Sequence, residues 1–67
     1  MKKDNFYVLL RFYDGGGLAK FKIVYCSEAE LEYALDEFEN ECIEENVGEF
    51  TAVLDYMELQ NILNELI

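Results

Sequence analysis

Thirteen carboxylates and not one lysine or arginine occupy the 45 residues from Ile23 to Ile67. All five basic residues (Lys2, Lys3, Arg11, Lys20 and Lys22) precede that stretch, beside only Asp4 and Asp14. The front of the chain thus carries about +3 and the rest about −13, a self-repulsion that opposes compaction. Any fold must turn those acids to water, so the apolar positions between them dictate which faces meet. Sixty-seven residues make a single domain, 1–67, close to the size at which one core barely suffices. With 52% apolar and 15% aromatic residues the chain lacks the signature of disorder. So much apolar surface on so small a body is hard to bury within one subunit, and a homodimer or a partner interface is expected.

Asn5 to Tyr13 alternates as a strand, with Phe6, Val8, Leu10 and Phe12 on one face and Tyr7, Leu9, Arg11 and Tyr13 on the other. Two largely apolar faces suit a central strand. Asp14-Gly-Gly-Gly is a turn, because glycine supplies the positive φ that hairpin loops need. Leu18 to Cys26 is the second strand, and its Lys20 and Lys22 favour an edge position.

Ser27 opens a helix with Glu30 as the partner in a capping box. Leu31, Ala34, Leu35, Phe38 and Cys42 form one apolar stripe at spacings of three and four. Gly48 is the expected stop, in the left-handed cap geometry. Glu49 to Asp55 reads as a third strand, and Asp55 with Glu58 caps a short final helix striped by Leu59, Ile62, Leu63 and Leu66. The expected class is α+β, ordered ββαβα. Its three-stranded sheet, in the order 2-1-3, is packed by the long acidic helix, with a short C-terminal helix added. The sheet face bearing Tyr7, Leu9, Tyr13, Phe21, Ile23 and Tyr25 is expected to need the terminal helix or a second subunit as cover.

Cys26 ends a strand and Cys42 lies well along the helix that follows, roughly 20 Å away at 1.5 Å per residue. That is far beyond disulfide reach, so both thiols are expected to be free, as in a reducing compartment. No secretory leader pattern and no run of transmembrane length is visible, and a cytoplasmic location is the expectation.

The helix from Glu28 to about Asn46 holds nine acids, at about one per 3.2 Å of axis. One strand of B-DNA carries a charge per about 3.4 Å, so the helix is dense enough to imitate a backbone. Glu28-Glu32-Asp36 and Glu37-Glu41-Glu45 are like-charged ladders, each pair mildly destabilising. A helix selected only for solubility would usually mix in lysines, so this face reads either as a solvated acidic face or as a charge-recognition surface. Tyr33 and Ile43 fall on this acidic arc, and Tyr33 has the character of an interface anchor.

Other chemistry finds little support. The glycine run lacks a following Lys-Ser/Thr and leads into a strand, so it is no phosphate loop. The chain has no histidine, no Cys/His cluster and little volume for a deep pocket, which argues against catalysis. No calcium-loop pattern is present, so no metal or other cofactor is expected. Direct nucleic-acid binding runs against a net charge of −10.

In size, charge and class the chain resembles the inhibitors that phages and mobile elements direct at host nucleic-acid enzymes, including anti-CRISPR proteins and other DNA mimics. That resemblance implies a non-enzymatic protein. Its acidic helix would occupy the basic DNA- or RNA-binding site of a host defence or nucleic-acid-processing enzyme. The partner-binding residues would be Glu32, Tyr33, Asp36, Glu37, Glu39, Glu41, Glu44 and Glu45. The alternative is a homodimeric structural or regulatory module that uses its apolar sheet face.

Overall fold

The computed structural model describes residues 4–66; Lys2 and Lys3 lie outside the described residues. Five elements follow one another: β1 (Asn5–Phe12), β2 (Leu18–Cys26), α1 (Glu28–Glu45), β3 (Phe50–Asp55) and α2 (Tyr56–Leu66). The sheet has the order β2-β1-β3, with β1 antiparallel to both neighbours. The chain is α+β with the two-faced strand at the centre and the lysine-bearing strand at an edge.

The hairpin closes through Gly16 N–H to the Tyr13 carbonyl and Tyr13 N–H to the Gly17 carbonyl, both 2.8 Å. Gly16 sits at φ 93°, a backbone angle that side chains disfavour. A register shift between Arg11 and Phe12 moves their partners from Lys20 to Leu18, which leaves Ala19 as an extra residue on β2.

At the start of α1 the capping box is complete. The Ser27 hydroxyl accepts from Glu30 N–H at 3.3 Å, and the Glu30 carboxylate accepts from Ser27 N–H and Oγ–H. The helix ends two residues before the expected glycine. Asn46 takes the left-handed conformation (φ 56°, ψ 47°), and Val47 N–H reaches back to the Cys42 carbonyl at 2.8 Å. Asparagine tolerates this conformation better than most side chains, so it caps the helix in glycine's place.

Gly48 has a different task. Its φ is 68°, and a Cβ there would sit 2.5 Å from Arg11 Cγ and 3.1 Å from the Phe12 carbonyl oxygen. The glycine lets the chain pass over Arg11, which is buried and holds this crossing together. Arg11 Nε donates to the Val47 carbonyl at 3.0 Å, and a terminal nitrogen donates to Thr51 Oγ1 at 2.8 Å.

The core lies between α1 and the odd-numbered side of β1. Leu9, Phe38 and Cys42 are completely buried, with Val24, Leu31, Ala34, Leu35 and Val53 packed around them. Each such large side chain contributes roughly 1.5–3 kcal/mol by burial. This corrects the expected sheet faces. Tyr7 and Leu9 lie under α1, and Tyr13 lies beyond the strand. Antiparallel pairing sets Phe6 opposite Tyr25, Val8 opposite Ile23 and Leu10 opposite Phe21. Directly opposed residues share a face, so the uncovered side carries the even-numbered residues of β1.

Replacing Gly48 by alanine should therefore lower stability by roughly 1–3 kcal/mol, because strain and a backbone clash coincide. Gly15→Ala, where nothing lies within 4 Å of the new Cβ, should stay within about 0.5 kcal/mol. Urea unfolding of the two variants measures both. Equal effects would contradict the assigned role of Gly48.

Candidate protein-interaction site

On a helix turning about 100° per residue, Asp36, Asn40, Tyr33 and Ile43 point within about 40° of the direction opposite Phe38. Glu32 and Glu44 follow at about 60° and Glu37 at about 80°. Glu32, Asp36, Glu37 and Glu44 are exposed, and Tyr33 is 79% exposed. These residues form one outward surface.

Glu41 and Glu45 belong elsewhere. Glu45 follows Phe38 by seven residues and so lies on the inner side of α1, one turn beyond Cys42. Lys20 of β2 meets it at 2.8 Å and Glu41 at 3.8 Å. Glu39 is half-buried on the opposite flank. The eight predicted residues are thus divided: five on the outward surface, one at its margin and two in an ion pair with the sheet. The outward acids run from Glu32 to Glu44 at about one per 4.5 Å of axis, sparser than the full count of helix acids implied.

Lys20 stands beside Arg11 in the strand register, and both reach the C-terminal end of α1. Two like charges opposite one another disfavour a sheet. Here the negative end of the helix dipole and two carboxylates lie over them. The bond from Lys20 to Glu45, opposed by partial desolvation and aided by the charges of Glu45 and Glu41, raises the Lys20 pKa above its ordinary 10.5. The Cys26 thiol is pushed above 9.0 by burial first, then by the charges of Glu30 and Asp4. Both cysteines are free.

A second surface lies on the other side of the sheet. Every strand residue there is uncharged, and Phe6, Phe21, Ile23, Tyr25 and Phe50 are each more than half exposed. Phe6 and Tyr25 are tilted against each other with ring centroids 4.7 Å apart. The final helix begins beside this face, capped by Asp55 Oδ1, which accepts from Glu58 N–H at 2.7 Å. Between them lies an apolar cleft of about 280 Å³ lined by Phe6, Val8, Ile23, Asp55, Tyr56 and Leu59. Leu59 is half-buried there, whereas Leu63 and Leu66 on the same stripe are exposed, so α2 leaves most of the face bare.

Among the described residues no group of three or more acidic or cysteine side chains is arranged to hold a metal ion. No described helix is long and apolar enough to cross a membrane. No protein-family model matches the chain, and no curated protein or solved structure shows significant similarity to it.

The raised pKa values of Lys20 and Cys26 have one sign of linkage. In each case the folded state holds its proton more tightly, so the stabilisation is complete below the unfolded value and is lost as pH climbs through the folded one. The loss begins above 9.0 for Cys26 and above 10.5 for Lys20. The melting temperature should accordingly hold between pH 7 and 8.5 and fall above 9, and Lys20→Met should remove the part of the fall above 10.5. Circular dichroism melts across this range check it; a melting temperature that rises with alkalinity would contradict the assignment.

Proposed function

We propose that this chain is a non-enzymatic inhibitor that binds a basic nucleic-acid-binding protein and occupies its DNA or RNA site with α1, an anti-CRISPR-like, anti-defence mode of action. The observation that supports this reading is the outward surface of α1. Glu32, Asp36, Glu37 and Glu44 are exposed there, while the described ion pairs engage Glu41 and Glu45. A helix of 18 residues presents a rigid rod of about 27 Å, long enough to lie along a groove shaped for a nucleic-acid strand.

The mechanism needs no bond-making. The acidic surface accelerates encounter with a basic cleft and competes for the cations that otherwise hold phosphates. Tyr33 and Ile43, set among the carboxylates, supply desolvated contact once the helix is seated. Glu41 and Glu45 act indirectly by fastening the C-terminal half of α1 to β2. Attraction and exclusion then share one surface, and the target is blocked by occupation.

Reversing Asp36, Glu37 and Glu44 to lysine tests this directly. None of the three touches the Leu9–Phe38–Cys42 core, and loss of like-charge neighbours does not destabilise the helix. The immobilised natural chain should retain a basic nucleic-acid-binding protein from a bacterial lysate and release it to about 0.5 M salt or to added duplex DNA. The triple variant, folded by circular dichroism, should retain none. Retention that survives the three reversals would overturn the reading.

A further inference from the structure

Two general relations indicate that the fold lacks a layer. A monomer of 7.9 kDa is expected to expose about 4,400 Å², whereas this chain exposes 5253 Å². Its radius of gyration is 12.7 Å, against about 11 Å for a compact domain of this length. The Cα envelope measures 36 × 32 × 12 Å. A slab of that thickness holds one sheet and one helix layer, since stacked layers lie about 10 Å apart.

The surplus surface is about 800 Å², the area one partner contributes to a standard protein interface. We infer that the uncovered sheet face is the interface of a two-fold homodimer in which a second copy of this chain supplies the missing layer.

Charge selects the second copy over other occupants. The strand residues that share this face include no charged group, and Asp55, at the margin of its cleft, is engaged in capping α2, so a strongly basic or acidic partner finds little there to pair with. An anionic lipid surface would repel a chain of net charge −10 whose described residues offer no cation on this side. A second copy brings an equally uncharged, aromatic face. Stacking the two sheets sends both α1 helices to the outside of four layers, about 30 Å apart across three layer spacings. At 0.15 M ionic strength, with a screening length of about 8 Å, their repulsion is largely screened; at 0.01 M, with about 30 Å, it is not. The dimer should therefore weaken as salt is removed, the reverse of binding through the acidic helix. It stands independently of the inhibitor reading.

Sedimentation of the full chain at about 100 µM and 0.15 M salt should give twice 7.9 kDa, with dissociation at 0.01 M. Ile23→Asp and, separately, Phe21→Asp should each yield monomer. Both side chains are more than half exposed in one subunit, so the variants should keep the Cys42 thiol unreactive, as expected of a folded core. Asp36→Lys should remain dimeric. A natural chain that stays monomeric, whether or not it captures another protein or a phosphatidylcholine vesicle, would overturn the inference. So would a dimer that survives both aspartate substitutions, or open-ended aggregation in place of a closed pair.

Discussion

Two cations that stand side by side on neighbouring strands determine how this chain is assembled. Arg11 and Lys20 are register partners on β1 and β2. A sheet alone would disfavour the pair. The end of α1 makes the arrangement favourable. Arg11 is sunk beneath the residues that follow the helix and donates to the Val47 carbonyl and Thr51, while Lys20 holds Glu41 and Glu45. The helix C-terminus, where carbonyls are unpaired and the dipole is negative, is the place where such cations contribute most. This contact orients α1 on the sheet, commits the odd-numbered side of β1 to the core and requires a glycine at position 48.

The division of the molecule into two unlike surfaces follows from that commitment. One amphipathic helix covers one face of a three-stranded sheet. Its outer side collects the acids that the sheet does not neutralise, and the opposite, apolar sheet face stays bare because α2 reaches only its margin. Strong negative charge and a bare apolar surface are usually at odds in a small domain. Here they are separated by the thickness of the sheet and helix, so each can serve a different contact. Among the described residues the fully buried core is confined to Leu9, Phe38 and Cys42.

Much of the architecture was legible because local signals agreed with one another. The Ser27–Glu30 box, the Leu31–Cys42 stripe, the glycine hairpin and the lysine-bearing edge strand all specify elements without reference to distant residues. The strand order follows once a two-faced strand must be central. Side assignment was harder, because both faces of β1 are apolar and alternation alone cannot rank them. Pairing across the hairpin sets odd residues of one strand against even residues of the other, so Phe21, Ile23 and Tyr25 share a face with Leu10, Val8 and Phe6. The buried arginine was the remaining clue: a guanidinium needs acceptors, and the end of α1 supplies them.

The acidic surface was only partly legible in the sequence. Counting carboxylates treats the helix as uniform, yet Glu45 repeats Phe38 at seven residues and therefore faces inward. The Asn46 cap was obscured by a glycine two residues on, whose role depends on a side chain from a distant strand. Such long-range constraints have no local signature.

If association and charge recognition use opposite faces, hydrogen exchange at two concentrations separates them. On raising the chain from about 1 µM to 100 µM in 0.15 M salt, peptides covering β2 (Leu18–Cys26) and the start of α2 should become more protected. Those covering the outer side of α1 around Tyr33 and Asp36 should be unchanged. Protection that appears on α1, or exchange that does not depend on concentration anywhere, would contradict the account.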